Sequence, residues 1–329
     1  MRLLIYEPSY TRLAREIATA GPTVEPVLMA ADASLTLAGR PISLEDAAVE
    51  AAWANNETFF GPVARDYSLA LLKSPTLKWL QSGAAGFDHP IFGQLVERGV
   101  RLATSHGQAV GMADYVLWGV LDHFQGGPGR RAAQAAHDWR RSGFREIEGS
   151  HWLVVGFGAI GQGVAECAKA FGARVTGVRR SQAPHPAAAI APPDALIELL
   201  PTADVVVLCV PLTPETRHVA DAAFFAAMKP RSVLVNVGRG RLVDEAALLA
   251  ALDKGAPEHA VLDVFETEPL PKDSPLWDHP RVTLTPHSSG ITEGQPARND
   301  AQFLENLRRY VAGEPLLSEI DPKDVLAGK

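Results

Sequence analysis

Trp152-Leu153-Val154-Val155-Gly156-Phe157-Gly158-Ala159-Ile160-Gly161 is the stretch on which the reading of this chain turns. An apolar strand runs straight into a complete G-x-G-x-x-G, and each glycine has a mechanical task. Gly156 makes the tight turn out of the strand, Gly158 lets backbone approach a pyrophosphate, and Gly161 lets the following helix pack close. A helix expected over 159–171 opens with the amides of Ala159, Ile160 and Gly161 and offers its positive dipole end to phosphate. The motif alone is weak, since a glycine-rich strand-to-helix turn reads the same way. A second short strand at 174–178 follows the helix at the spacing of a βαβ unit and strengthens the nucleotide reading.

The surroundings of this turn are bounded by composition. A chain of 329 residues can bury two cores. With 47% hydrophobic and 21% charged residues it has no bias towards disorder, and a net charge of -7 argues against a nucleic-acid partner. No apolar run reaches membrane-span length, and the apolar start at 1–5, followed by Glu7 and Pro8, is too short for a signal peptide. A cytoplasmic protein with no membrane partner is expected. Cys167 and Cys209 are the only cysteines, so neither a disulfide framework nor a metal cluster is expected, and both read as core thiols.

From the start of the chain, strands at 2–6, 24–29 and 77–81 alternate with helical spacing at 11–20 and 64–72, and 45–53 reads as a helix-to-strand passage. The strand at 77–81 ends in Ser82-Gly83-Ala84-Ala85-Gly86-Phe87-Asp88-His89, a loop of tiny residues where open α/β sheets place ligands. A helix at 112–125 and a more polar one at 130–141 precede the central strand. Trp139, within the second, reads as packing between domains or subunits. Beyond the glycine turn, 181–193 is rich in Pro and Ala and reads as a surface loop. Strands are expected at 204–210, 232–237, 260–264 and 281–284, and helices at 194–200, 224–228, 244–252 and 294–311.

Arg239, Glu268 and His287 each fall just past the carboxyl end of an expected parallel strand. Singly they read as a surface cation, a turn carboxylate and a loop histidine. Together, at the edge of the nucleotide sheet, they form the set that hydride transfer to a carbonyl needs: a cation to polarise the oxygen and an acid to deliver the proton.

With these residues in place the sequence resembles the D-isomer-specific 2-hydroxyacid dehydrogenases. The likeness runs through Ala85-Gly86-Phe87-Asp88, the glycine turn, Val210-Pro211-Leu212-Thr213-Pro214-Glu215-Thr216-Arg217, Met228-Lys229-Pro230, Asn236-Val237-Gly238-Arg239-Gly240, Leu242-Val243-Asp244-Glu245, Leu262-Asp263-Val264-Phe265-Glu266, Glu268-Pro269-Leu270 and Thr285-Pro286-His287. It implies two doubly wound α/β domains with parallel sheets. A Rossmann domain at 104–290 is inserted into a smaller, flavodoxin-like substrate domain at 1–103 and 291–329, with substrate in the cleft and a homodimer as the assembly.

Carried over residue by residue, His287 is the acid/base, Glu268 its carboxylate partner, and Arg239 the group binding the substrate's carbonyl and carboxylate oxygens. The resemblance also implies that amides around Ala85 and Gly86 hold the carboxylate, that Val210 and Pro211 line the cofactor site, and that Asp263 meets the nicotinamide carboxamide. Where NAD-dependent relatives carry an acidic residue after the second Rossmann strand, this chain has Arg179-Arg180-Ser181. Two cations and a hydroxyl suit the 2′-phosphate of NADP, so NADPH is expected in preference to NADH.

The expected activity is NADPH-dependent reduction of a small 2-oxo acid of the glyoxylate or hydroxypyruvate kind to its D-2-hydroxy acid. The alternative is a dinucleotide-sensing, non-catalytic interaction protein on the same fold. Formate oxidation fits less well, because a carboxylate beside His287 suits proton delivery. The segments Ser288-Ser289-Gly290 and His106-Gly107-Gln108 depart from the usual wording and leave the substrate open. Trp53, Phe87 and Trp277-Asp278-His279 read as packing.

Overall fold

The computed structural model describes residues 1–20 and 23–326. The chain forms two compact units, Met1–Gln108 with Glu293–Lys329, and Ala109–Thr292.

In the first unit, strands β1 (Arg2–Tyr6), β2 (Glu25–Met29), β5 (Ala51–Ala54), β6 (Trp79–Ser82) and β7 (Arg101–Ala103) pair in parallel. Between β2 and β5 the chain adds a hairpin, β3 (Leu35–Leu37) and β4 (Arg40–Pro41), so the sheet order is β4-β3-β2-β1-β5-β6-β7 with an antiparallel edge. Sequence reasoning did not find this hairpin. Its two turn residues are left-handed, with φ of 49° at Ala38 and 73° at Gly39, as the twist of a two-residue hairpin demands.

Successive strand residues alternate between two cores. Leu4, Val27, Ala52, Leu80 and Leu102 face one layer with Tyr67, Leu71 and Phe92, while Leu3, Ile5, Trp53 and Trp79 face the other with Phe303 and Leu307. Trp53 is fully buried and stacks on Phe303 at 4.8 Å between ring centroids, so it serves packing. Helix Pro90–Glu97 and strand β7 also lay outside the sequence reading.

The second unit carries seven parallel strands, β8 (His151–Val155), β9 (Arg174–Val178), β10 (Ala189–Ala191), β11 (Val205–Leu208), β12 (Val233–Asn236), β13 (His259–Leu262) and β14 (Val282–Leu284), in the order β10-β9-β8-β11-β12-β13-β14. The central strands β8, β11, β12 and β13 are buried on both faces, which is why β11 and β12 read as continuous Val/Leu runs. Trp152, Val154, Val205, Val207, Val233 and Val235 pack against helices Ala109–Phe124 and Ala159–Ala170 through Val116, Val120, Val164 and Ala168. Leu153, Val155, Val206, Leu208, Leu234 and Leu262 pack against Leu196, Phe224, Phe225, Leu248 and Leu252.

Three expectations are corrected here. The second polar helix spans Gly127–Ala135, with Pro128 in its first turn, so Trp139 lies beyond it and is 93% exposed. The stretch 181–193 is not wholly a loop, because Ala189–Ala191 pairs with Thr176–Val178 and extends the sheet. The segment expected as one helix at 194–200 is a 3₁₀ turn, a single α-turn Leu196–Leu199 and a second 3₁₀ turn, broken where Pro193 and Pro201 fall. Among the described residues no helix is long and apolar enough to cross a membrane.

Candidate active site

Strand order reverses beside β8, between its neighbours β9 and β11, and the crevice beyond their carboxyl ends is where such sheets bind dinucleotides. Gly156 sits there with φ of 96°, and a Cβ on it would lie 2.6 Å from the Cys209 carbonyl and the Val210 nitrogen. Only glycine makes this turn without displacing the end of β11. Gly161 is equally constrained, since its Cβ would approach the Gly156 oxygen to 2.1 Å. Gly158 differs: its φ is -83° and a Cβ would meet nothing within 4 Å. The space in front of it is open, as close approach of a pyrophosphate requires. Gly158 also caps the helix Ala159–Ala170 without a side-chain bond, so no capping side chain competes with a ligand for the first-turn amides of Ala159, Ile160 and Gly161.

The two edges of the crevice are built differently. Arg179, past the end of β9, donates from Nε to the Ser181 carbonyl at 2.8 Å and from Nη2 to the Ala183 carbonyl, and its guanidinium stands over the Phe157 ring at 5.5 Å. This folds the Arg179-Arg180-Ser181 segment back towards the glycine turn. Arg180 is exposed, and its charge acts on Glu215. On the other edge Val210 and Pro211 leave β11, and Thr216 Oγ1 donates to the Pro211 carbonyl at 2.7 Å. Cys209 donates from Sγ to the Gly156 carbonyl at 2.9 Å, and burial pushes its thiol up to about 12. Cys167 packs against the same core.

Arg239, Glu268 and His287 come together past β12, β13 and β14. Arg239 is held through both backbone and side chain: Asn236 donates from Nδ2 to the Arg239 carbonyl at 2.9 Å and accepts from the Gly238 amide at 3.1 Å, and Arg239 donates from Nη1 to the Gly238 carbonyl at 2.8 Å. Nδ1 of His287 lies 2.7 Å from Oε2 of Glu268, whose other oxygen accepts from the Phe265 amide at 3.0 Å. Partial burial opposes the charged form of Glu268, yet the bonds from His287 and Phe265, with the Arg239 charge, hold its pKa below the usual carboxylate range. The hydrogen bond to Glu268 raises the pKa of His287 above its ordinary value, against partial burial and the Arg239 charge. The contact thus favours the carboxylate form of Glu268 and the imidazolium form of His287.

His287 has φ of 50°, a conformation uncommon outside glycine, and Asp263 holds it there. The Asp263 carbonyl accepts from the His287 amide at 2.8 Å, and its carboxylate accepts from Ser288 N at 2.9 Å, Ser289 N at 3.0 Å and Thr285 Oγ1 at 2.5 Å. Asp263 is 1% exposed. It is therefore the anchor of the histidine loop, a task that sequence reasoning missed. The Asp type one residue past the end of β13 was the available signal.

In the first unit, Ala85 and Gly86 lie in the loop after β6, half-buried. That loop is fixed from both sides, by the Gly83 amide on the Ala54 carbonyl at 2.7 Å and the Ser105 amide on the Ala84 carbonyl at 2.9 Å. Among the described residues no group of three or more His, Cys, Asp or Glu side chains is arranged to hold a metal.

A glycine turn at the switch point of an all-parallel sheet, beside an arginine, a carboxylate and a histidine, defines a dinucleotide-binding unit of the oxidoreductase type. The family model for the D-isomer specific 2-hydroxyacid dehydrogenase NAD binding domain matches residues 117–289, and the chain belongs to that family. A glyoxylate/hydroxypyruvate reductase B of Citrobacter koseri is 33% identical over 86% of this chain and 90% of its own. The chain spans about half the length of other curated relatives. The D-3-phosphoglycerate dehydrogenase of Methanocaldococcus jannaschii, for example, is 33% identical over 74% of this chain and 47% of its own. Among solved structures, a D-isomer specific 2-hydroxyacid dehydrogenase from Xanthobacter autotrophicus Py2, in complex with NADPH and MES, superposes with a TM-score of 0.77 at 30% identity, covering 98% of each chain.

Proposed function

We propose that this protein is an NADPH-dependent reductase that converts a small 2-oxo acid of the glyoxylate or hydroxypyruvate class to its D-2-hydroxy acid. The observation that carries the reading is the 2.7 Å His287–Glu268 pair beside Arg239 on a dinucleotide sheet. It is supported by the reductase of C. koseri, which matches nearly end to end, and by the NADPH bound in the Xanthobacter relative.

When bound, NADPH supplies a hydride to the carbonyl carbon. The protein's own groups do the rest. The turn at Gly156, Gly158 and Gly161 and the amides of Ala159 and Ile160 take the pyrophosphate, with Val210 and Pro211 along the opposite edge and Asp263 towards the carboxamide. Arg179, Arg180 and Ser181 take the 2′-phosphate. Arg239 holds the carbonyl and carboxylate oxygens. His287, kept protonated by Glu268, gives its proton to the carbonyl oxygen as charge develops there.

A homodimer is the proposed assembly. The family resemblance supports it, as do the exposed side chains of Trp118 and Trp139 in the second unit. The deciding experiment is a panel of 2-oxo acids assayed with NADPH and NADH. Turnover of a small member with NADPH is expected. Tight NADPH binding without turnover of any member would instead mark a dinucleotide sensor.

A further inference from the structure

Two carboxylates outside the reacting set exchange hydrogen bonds with each other's backbone. Glu245 opens the helix Glu245–Lys254, so its amide is one of the first-turn donors that the helix itself leaves without an acceptor. That amide donates to Oε1 of Glu266 at 3.2 Å, and the Glu266 amide donates to Oε1 of Glu245 at 2.7 Å. Nε2 of His218 lies 3.2 Å from the same Glu266 oxygen.

These contacts join three loops at the carboxyl end of the sheet. His218 follows β11 in the segment that begins at Val210 and Pro211, and its amide donates to the Arg241 carbonyl at 2.9 Å. Glu245 ends the loop that carries Arg239. Glu266 stands two residues before Glu268. The last two loops also meet backbone to backbone, since a Cβ on Gly240 would come within 1.8 Å of the Phe265 carbonyl carbon.

Nothing in the hydride-transfer chemistry requires Glu245 or Glu266, and placing two carboxylates together has a cost. Burial, then the neighbouring Glu266 charge, raise the pKa of Glu245, while its bond from the Glu266 amide works the other way. A single apolar contact could close the loops without that cost. What the reciprocal bonds add is direction, because each fixes both a side chain and the amide of its partner loop.

We propose that the Glu245–Glu266 clasp, with His218 against it, is a positioning device that sets the Glu268 loop and the Arg239 loop in register. Glu245, Glu266 and His218 are then positioning residues, acting through Glu268 on His287. The inference rests on the roles given above to Glu268 and His287.

The test is the titration of the His287 ring, followed by NMR in the full-length protein, beside keto-acid kinetics. Glu266→Ala and Glu245→Ala are expected to lower the His287 midpoint by roughly half to one pH unit, because a loosened Glu268 no longer favours the imidazolium. The alkaline limb of reduction moves down with it. Glu245→Gln keeps an acceptor oxygen for the Glu266 amide and restores most of the native midpoint. Should Glu266→Ala fail to fold, Glu245→Ala carries the prediction, since alanine is well tolerated at a helix start. A His287 midpoint unchanged in a folded alanine variant overturns the inference, whatever the kinetics. Absence of keto-acid turnover in the native protein, with the midpoint shifting as expected, removes the reductase reading and leaves the clasp standing.

Discussion

Glu268 reaches His287 from a different strand end, 19 residues earlier in the chain, and its Oε2 lies 2.7 Å from the ring Nδ1. Both side chains are partly exposed, 35% for Glu268 and 50% for His287, so the pair contributes through pKa more than through stability. The folded pKa of His287 is raised, so the charged form and its stabilising contact are fully present below the unfolded value and are lost as pH rises through the folded one. Reduction by a protonated His287 should fail over that same range. Glu268→Gln removes the charge and keeps the shape, so the alkaline limb of the rate profile is expected to move to lower pH without abolition of activity. A limb that stays in place or moves upward dissociates Glu268 from His287.

His287→Ala is expected to leave NADPH binding nearly intact, because the glycine turn and the ends of β9 and β11 are untouched. Keto-acid reduction should fall by roughly 10²–10⁴-fold, the usual contribution of a positioned general acid. Binding by fluorescence titration and turnover by NADPH absorbance separate the two. Native turnover in the variant would take His287 out of the mechanism.

Arg239→Lys tests fork geometry. A guanidinium can meet two substrate oxygens in one plane, whereas an ammonium is a point charge without that fork. The expected loss is in kcat/KM for the keto acid, by roughly tenfold or more, as transition-state stabilisation disappears. The Asn236 bond to the Arg239 carbonyl survives the substitution, whereas the Nη1 bond to the Gly238 carbonyl at 2.8 Å does not, so a stability measurement accompanies the kinetics. Normal kinetics would return Arg239 to the role of a surface cation.

What could be read from the sequence, and what could not, follows from the range of the interactions. The turn at 156–161 was legible because strand, glycines and helix start are contiguous, and each glycine answers a local steric demand. Arg239, Glu268 and His287 were legible as strand-end residues, before any distance was known. The hairpin at 35–41 was hidden because its left-handed turn pair is Ala38-Gly39, without the Asn or Asp that usually announces it. Helix Pro90–Glu97 was hidden by its length: Ile91, Phe92, Leu95 and Val96 have helical spacing, but eight residues directly after the small-residue loop are too few to tell a helix from a short apolar run. For Asp263 the sequence showed only an acidic residue one position past a strand end; its anchoring task could not be read, because its partners Thr285, Ser288 and Ser289 follow the next strand and only the fold brings their donors to one carboxylate.

The glycines of the turn make opposite predictions. Gly156→Ala combines a φ of 96° with a Cβ 2.6 Å from the Cys209 backbone, so the end of β11 must shift. A loss of roughly 2 kcal/mol or more is expected in urea unfolding. Gly158→Ala meets no atom within 4 Å at an ordinary φ, so its stability should stay within about 0.5 kcal/mol of native. Its methyl group would occupy the space in front of the turn, and NADPH affinity should fall by about tenfold, or ~1.4 kcal/mol. Native NADPH affinity in Gly158→Ala would mean that the pyrophosphate does not approach there.

The proposed preference for NADPH rests on Arg179. In a dinucleotide fold the residue at the end of the second strand faces the adenosine ribose, and an acidic side chain there accepts from the 2′-hydroxyl while repelling a 2′-phosphate. Here that position is cationic, and the guanidinium is held over Phe157 by its bonds to the Ser181 and Ala183 carbonyls. Those bonds use Nε and Nη2, which leaves the Nη1 donors for a phosphate oxygen. A hydrogen bond to a charged group contributes roughly 1.5–3 kcal/mol, so removing Arg179 should weaken NADPH by about ten- to more than a hundredfold. The native protein is expected to prefer NADPH over NADH in kcat/KM, and Arg179→Asp to reverse much of that preference by adding repulsion of the phosphate and an acceptor for the hydroxyl. Because the same side chain braces its loop, Arg179→Gln serves as the control: it keeps an amide that can bond a loop carbonyl, removes the charge, and should lose NADPH affinity without gaining NADH. Comparable kcat/KM for the two cofactors in the native protein would show that this arginine braces the loop and selects nothing.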